Sequence, residues 1–294
     1  MEFLLQVING LQTGSIYALV ALGYTMVYGV AKLINFAHGD IIMIGAYLCL
    51  LIGPVLGAAG LPLWLGVFIA VPVCALLGIA IERIAYRPLR RSPRISNLIS
   101  AIGVSLLLEN AAMKVFGTSA KPFSKALDLG EVILGDFRIS LSSAVTILVT
   151  LILTWALYHF MKHTNAGRAI LATSEDAGAA QLVGINIDRS ISLTFALGSG
   201  LAAIGSLLYL VRYPQITPMM GSMLGIKAFI AAVLGGIGSI PGAVLGGFIL
   251  GLVEAMTKAY LASELADAFV FGILIVVLLV RPAGIFGSSR VEKV

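Results

Sequence analysis

The sequence predicts an all-α protein, a polytopic integral membrane helix bundle with about eight or nine transmembrane segments, some of them discontinuous. Of its 294 residues, 59% are hydrophobic and only 11% are charged, and the mean hydropathy is +1.03. Soluble domains carry about 25% charged residues, so the chain lies far outside their range. Because a spanning helix needs about 20 apolar residues, we expect residues 1–294 to form one transmembrane domain without a sizeable soluble domain.

The net charge of +5 comes from 19 Lys and Arg against 14 Asp and Glu. An excess of Lys and Arg is typical of cytoplasmic loops in membrane proteins. We therefore assign the excess positive charge to loops beside membrane lipid and predict no nucleic-acid binding. Cys49 and Cys74 lie inside apolar segments, where a thiol is usually a packing residue. The N-terminus lacks the basic region of a signal peptide, so we expect the first apolar segment to be retained.

Apolar runs separated by polar or Gly/Pro-rich stretches give the predicted spans in order. They cover Phe3–Val30, Ile41–Leu56, Leu63–Ile81, Ile95–Phe116, Leu141–Met161, Ile191–Leu210 and Leu265–Val280, with a glycine-rich segment between the last two.

The stretch KLINFAHGD interrupts the first two spans with polar residues. Asn35, His38 and Asp40 lie beside Gly39 between two apolar runs, and polar groups without partners are costly at membrane depth. Two interpretations remain open. The stretch is either a short loop at the membrane surface or a break in a discontinuous helix, whose free backbone groups line a substrate path.

Charge predicts the orientation of the chain in the membrane. A segment between residues 83 and 94 holds five arginines and no acid, namely Arg83, Arg87, Arg90, Arg91 and Arg94. The positive-inside rule assigns this segment to the cytoplasm. Residues 117–138 carry mixed charge and should lie on the opposite side. Counting crossings then places the polar segment 162–189 in the cytoplasm.

Segment 162–189 is a long polar interruption in an apolar chain. Thr173 and Asp176 have the T-x-x-D spacing of a helix start. The helix should end at Gly184, which can adopt the left-handed conformation common after a helix C-terminus. Ala179, Ala180 and Val183 would share one small, smooth face. That face either docks into a cleft of another protein or belongs to a short helix covering the bundle.

The remaining candidate site residues are glycines and two acids. The glycine-rich stretch completes no phosphate-binding motif, but its spacing favours close helix packing through Gly242, Gly246, Gly247 and Gly251. Pro241 should break a short helix there. Glu109 lies within a predicted span, where an acid is a functional candidate unless it reaches the headgroups. Glu254 and Lys258 are four residues apart and could pair at a helix end.

As a set, GSIYALVALGYTMVYGVAKLINFAHGD, AYRPLRR, QLVGINIDR and KAFIAAVLGGIGSIPGAVLGG closely resemble the permease subunits of bacterial high-affinity branched-chain amino acid ABC importers. The resemblance covers nearly the whole chain. It implies a single transmembrane permease domain in the inner membrane, a second and longer permease as heterodimer partner, two ATPase subunits, and a periplasmic binding protein that delivers leucine, isoleucine or valine.

The resemblance also gives segment 162–189 a role. Importer permeases of this kind carry a cytoplasmic coupling helix with the core E-A-A-x-x-x-G, and Ala179, Ala180 and Gly184 fit its last three defined positions. Gly178 occupies the position of the Glu, and Glu175 and Asp176 are the acids that could replace its charge. No Walker A motif occurs in the sequence, so we expect this chain to bind no cofactor and the partner subunits to use ATP.

Other functions would suit a similar composition. An ion-coupled secondary transporter could use Glu109 or Glu254 as its coupling carboxylate, and a passive channel would need neither partners nor ATP. Within the importer class, permeases for urea and short-chain amides look similar in the first span and in NFAHGD. No residue identified here separates those substrates from branched-chain amino acids.

Overall fold

The computed structural model describes residues 2–90, 92–123, 130–134 and 137–287. Its α-helices are α1 Glu2–Ala31, α2 His38–Ala58, α3 Val67–Ile81, α4 Arg94–Phe116, α5 Leu141–His163, α6 Asn165–Glu175, α7 Ala177–Leu182, α8 Ile187–Arg212, α9 Met220–Gly235, α10 Ile240–Tyr260 and α11 Ala266–Val280. Within these residues, eight helical segments are long and apolar enough to cross a membrane, and α9 is a shorter apolar helix. The predicted helix bundle is therefore confirmed.

Two short β-ribbons accompany the helices on one side of the bundle. β1 Lys121–Pro122 pairs antiparallel with β4 Gln215–Ile216, and β2 Glu131–Leu134 pairs antiparallel with β3 Phe137–Ser140. β1 and β2 belong to the mixed-charge segment 117–138, for which the sequence predicted no strand. Residues 124–129 and 135–136 of the mixed-charge segment lie outside the described residues.

α1 and α8 form the centre of the bundle. Most of the apolar window of each is buried, whereas α4 and α11 expose most of theirs. A helix that is apolar all round and exposed in the isolated chain needs lipid or another apolar surface around it. The third span and α5 also expose most of their apolar windows, so all four are outer helices, and α4 and α11 are the most exposed of them.

Glycines bring the central helices into close contact. Gly247 of α10 packs on the backbone of Ala18, and Gly251 packs on that of Gly14, so α1 and α10 approach backbone to backbone. The other two glycines of the predicted set face α9 instead: Gly246 contacts Ala231, and Gly242 contacts Gly235. Small residues permit this approach between membrane helices, and α10 uses one glycine pair for each neighbour.

The turn between α9 and α10 needs two glycines in the left-handed region, with φ of +102° at Gly236 and +97° at Gly238. Ser239 then caps α10, because its hydroxyl accepts a hydrogen bond from the Gly242 amide at 3.2 Å. Pro241 occupies the first turn of α10, where the missing amide proton costs nothing. The prediction that Pro241 breaks a helix is thus wrong, since it helps to begin one.

The third span is longer than predicted. A short 3₁₀ helix, Leu63–Gly66, precedes α3, and a π-helical turn, Glu82–Tyr86, followed by a second 3₁₀ turn, Arg87–Leu89, continues it. The first half of the predicted arginine-rich loop is therefore helical. Arg91 lies outside the described residues.

Ion pairs confirm that the arginine-rich segment and segment 162–189 lie on the same side of the bundle. Asp188 in the first turn of α8 pairs with both Arg87 and Arg90. The ends of α3 and α5, and the helices α6 and α7, therefore share one end of the bundle, and the positive-inside rule predicts that this end is cytoplasmic.

Candidate functional site

The chain between α1 and α2 is a helix break inside the protein. Residues 32–37 are not helical, and Lys32 has a φ of +53°. The side chains of Asn35, His38 and Asp40 are nevertheless only 2%, 1% and 0% exposed. Of the two open interpretations, the structure favours the helix break over the surface loop.

His38 and Gly39 begin α2 where four helices meet. The His38 ring contacts Gly23 of α1 and lies 3.6 Å from the Cβ position of Gly198, a residue near the middle of α8. Gly39 contacts the backbone of Gly221, and a Cβ built on it would lie 3.0 Å from the Gly225 Cα. Three chain segments can approach the break this closely only because glycines line it.

Polar atoms without partners are concentrated at this break. The Nδ2 of Asn35 and the Nε2 of His38 are buried and have no hydrogen-bond partner among the described residues. The buried Asp40 carboxylate interacts with the Ser105 hydroxyl of α4 without forming a regular hydrogen bond. Leaving buried polar groups unpaired is costly. The break therefore offers donors and acceptors that water or a polar solute can satisfy when the surrounding helices separate.

Asp40 faces α4. Ser105 and Glu109 of that helix are close enough to interact electrostatically with its carboxylate. Glu109 is 6% exposed and accepts a hydrogen bond from the Ser222 hydroxyl of α9. Glu109 therefore lies inside the protein in this chain, and its role as a functional acid stays a prediction.

A second charged cluster joins α1, α9, α10 and α11, and it is buried at Glu254 and Lys227 but partly exposed at Lys258 and Asp267. Glu254 is 2% exposed and accepts hydrogen bonds from the Tyr17 hydroxyl at 2.5 Å, from Lys258 at 2.5 Å and from Lys227 at 3.0 Å. Lys227 also pairs with Asp267 at 2.7 Å. The predicted Glu254–Lys258 pair exists near the end of α10, and it belongs to a larger cluster that the local spacing did not reveal.

The segment predicted to couple the chain to a partner folds as two short helices. Thr173 does not begin a helix: it lies inside α6, where its hydroxyl donates to the Ala169 carbonyl at 2.7 Å. Asp176 is the actual cap of α7, since its Oδ1 accepts a hydrogen bond from the Ala179 amide at 2.9 Å. Gly184 has a φ of +86°, so the left-handed conformation predicted for it is confirmed.

The outer face of α7 differs from the predicted one. Ala180 is only 3% exposed and packs inward, whereas Leu182 is 90% and Val183 78% exposed. Glu175, Asp176, Gly178 and Ala179 are also exposed. The expectation that Ala180 lies on a partner-facing surface is wrong, because this six-residue helix uses that position to pack on its own chain.

A cavity of about 640 Å³ separates α7 from the end of the third span. Arg87 and Arg90 line one wall, and Gly178, Gln181 and Asp188 line the other. Both arginines pair with Asp188, and Arg90 also pairs with the buried Glu82, so two carboxylates balance the two guanidinium groups.

Sequence reasoning missed a set of contacts at the end of the bundle that holds the arginine-rich segment. Glu82 is 0% exposed, pairs with Arg90 and accepts a hydrogen bond from the Ser192 hydroxyl at 2.6 Å. The signal available in the sequence was an acid directly beside an arginine-rich segment. Its partner Ser192, however, is 110 residues away.

Comparison with known proteins gives matches along the whole chain. The sequence profile of the family described as "Branched-chain amino acid transport system / permease component" matches residues 6–278. The high-affinity branched-chain amino acid transport system permease protein LivH of Salmonella typhimurium is 46% identical over 304 residues, covering 100% of this chain and 98% of that relative. The corresponding protein BraD of Pseudomonas aeruginosa is 44% identical over 302 residues with the same coverage.

A more distant relative extends the similarity to an archaeon. The probable branched-chain amino acid transport permease protein LivH of Methanocaldococcus jannaschii is 30% identical over 294 residues, covering 93% of this chain and 89% of its own length.

Proposed function

Since this chain belongs to the family of branched-chain amino acid transport system permease components, we propose that it carries leucine, isoleucine and valine across the bacterial inner membrane as the permease subunit of an ABC importer. This proposal rests on the full-length similarity of the chain to permeases of that transport system. Eight spans of membrane-crossing length agree with an inner-membrane location. The chain itself is a transport subunit and not an enzyme.

The partners proposed for it are a second, longer permease, two ATPase subunits and a periplasmic binding protein. The outer helices α4 and α11 provide apolar surface for lipid and for a second permease. ATP is bound and hydrolysed by the ATPase subunits, and this chain binds no cofactor. Closure of the ATPases would rock the spans between inward and outward access.

The helix break is the proposed contribution to the substrate path. Asn35, His38 and Asp40 supply polar groups, and Gly39 supplies the close approach at which the surrounding helices can separate. A branched-chain amino acid has a zwitterionic head and an apolar tail, so a path with few polar groups and weak binding suits it. Recognition is then left to the binding protein.

Competition for uptake tests the proposed substrate class. We expect proteoliposomes that hold the complete complex, internal ATP and external binding protein to accumulate labelled leucine. Excess unlabelled isoleucine and valine should compete, whereas urea and acetamide should not. Competition by urea or acetamide, without competition by isoleucine and valine, would assign the chain to the urea and amide permeases instead.

Coupling is proposed to pass through α7 and the residues around it, with Glu175, Asp176, Ala179, Ala180 and Gly184 as the positions that match the coupling-helix pattern. Their roles differ in this chain. Leu182, Val183 and Ala179 are exposed and available to an ATPase, whereas Ala180 and Gly184 hold the shape of the helix and Asp176 caps it. Glu175 is an exposed acid that does not cap a helix.

We expect Leu182→Asp to lower ATP-driven leucine uptake at least tenfold, because a charge would replace an exposed apolar side chain at the proposed docking face, where loss of a central contact costs about 2 kcal/mol or more. Leu182→Met, which keeps an apolar side chain of similar volume, is the matched control and should retain uptake. Co-purification of the ATPase with each variant gives an independent measure of docking. Normal uptake and normal ATPase stoichiometry for Leu182→Asp would remove α7 from the docking surface.

A further inference from the structure

A continuous set of contacts runs along one face of α8 from its cytoplasmic end toward the helix break. Asp188, Ser192 and Phe195 are spaced four and three residues apart, so they lie on the same face of the helix. Each of them contacts a different part of the end of the third span. The contacts form three successive layers.

The first two layers are polar. In the outermost one, Arg90 donates to the Asp188 carboxylate at 2.5 Å, and Arg87 pairs with the same carboxylate. In the next layer, Ser192 donates to Glu82 at 2.6 Å. Arg90 also pairs with Glu82, so it ties the two layers together.

The third layer reaches the helix break itself. The Tyr86 ring lies 5.6 Å from the Phe195 ring, measured between centroids. Its hydroxyl donates to the Oδ1 of Asn35 at 2.7 Å. Tyr86 is 0% exposed, so this hydrogen bond is shielded from water and connects the third span directly to the nonhelical stretch.

The outer end of this set of contacts adjoins α7. Only residues 183–186 separate α7 from α8, and the Ile185 amide donates to the Ala180 carbonyl at 3.0 Å. Asn186 caps α8 with a 2.9 Å hydrogen bond from the Arg189 amide. Movement of α7 therefore moves the first turn of α8, which carries Asp188.

The end of the third span has an irregular helical geometry. Glu82–Tyr86 is a π-helical turn, a form that departs from the regular α-helical hydrogen-bond pattern and is found frequently at functional sites. It places both Glu82 and Tyr86 inward, with neither side chain exposed.

We propose that Glu82, Arg90 and Tyr86 are positioning residues that transmit movement of α7 to the helix break, with the Tyr86–Asn35 hydrogen bond as the final link. This inference rests on the proposed function, because it assumes that α7 receives the movement of an ATPase. It goes beyond that function by assigning the connection between the cytoplasmic surface and the substrate path to named side chains on the third span and α8.

The test measures leucine transported per ATP hydrolysed by the complete complex in proteoliposomes. Tyr86→Phe removes only the hydroxyl that binds Asn35, and we expect this ratio to fall about fivefold, the equivalent of one hydrogen bond of about 1 kcal/mol. ATP hydrolysis should stay near the wild-type rate. Tyr47→Phe is the matched control, since the Tyr47 hydroxyl is equally buried but has no hydrogen-bond partner among the described residues.

A double-mutant cycle tests the connection between the two ends. Asp188→Asn weakens the outermost layer and should also lower the ratio of leucine transported to ATP hydrolysed. The loss in the double variant should differ from the sum of the two single losses, although no contact joins the two side chains directly. Additive effects, an unchanged ratio, or equal losses of uptake and hydrolysis in Tyr86→Phe would each overturn the proposal. A wild-type complex without ATP-dependent leucine uptake would instead contradict the proposed function, and the inference with it.

Discussion

Gly39→Val is expected to abolish leucine uptake and to destabilise the permease by about 3 kcal/mol or more, at the upper end of the cost of overpacking a core. A Cβ at this position would collide with the Gly221 carbonyl and lie 3.0 Å from the Gly225 Cα. Because these obstacles are backbone atoms, no change of side-chain rotamer can relieve the clash. α2 and α9 would have to separate at the helix break.

The matched control for this change lies in the same helix. Gly57 is exposed near the end of α2, and a Cβ built on it meets no atom within 4 Å. Gly57→Val should therefore leave uptake and the thermal unfolding midpoint of the purified complex nearly unchanged. Equal behaviour of the two variants would mean that α2 and α9 do not meet as closely at Gly39 as described.

Glu254→Ala is the second substitution with a large expected effect, a loss of about 2–3 kcal/mol in the free energy of unfolding. Glu254 accepts hydrogen bonds from Tyr17, Lys227 and Lys258. Its removal would leave the buried Tyr17 hydroxyl without this partner, and Lys227 with Asp267 alone. Chemical or thermal unfolding of the purified complex measures the change.

Glu264→Ala provides the comparison for that experiment. Glu264 is exposed in the short 3₁₀ helix before α11, and surface substitutions of this kind usually change stability by about 0.5 kcal/mol or less. If Glu254→Ala unfolds no more easily than Glu264→Ala, the buried cluster contributes nothing to the stability of the bundle.

Hydropathy was sufficient to predict the helix bundle, because spans must satisfy their own backbone hydrogen bonds in lipid. The left-handed Gly184 could be predicted for a similarly local reason, since glycine is the residue that adopts that conformation without a steric penalty. Both predictions depend on properties of short stretches of chain.

The features that sequence reasoning missed depend on contacts between distant parts of the chain. The arginines after Ile81 indicated a loop, but the helical extension runs through Arg87 to Leu89, and Arg87 and Arg90 pair with Asp188, about 100 residues later. The error at Thr173 was local instead: the T-x-x-D spacing indicated a helix start, but α6 begins after the Thr164 cap, continues through Thr173 and ends at Glu175.

The prediction of the docking face of α7 was wrong for a related reason. Periodicity grouped Ala179 with Ala180 as one smooth face, but it could not say which side of a six-residue helix packs on its own chain. The structure buries Ala180 and exposes Leu182. The Asp40–Glu109 neighbourhood was beyond prediction as well, because it depends on how α4 packs beside α2.

The central claim is that this chain transports branched-chain amino acids with energy from partner ATPases, and ATP dependence of leucine uptake tests it most directly. Proteoliposomes with the complete complex and binding protein should accumulate labelled leucine when they contain ATP, and should fail to do so with a nonhydrolysable analogue. Ionophores that collapse proton and sodium gradients should not change the rate. Uptake that persists without ATP and stops with the ionophores would contradict the account and identify an ion-coupled transporter.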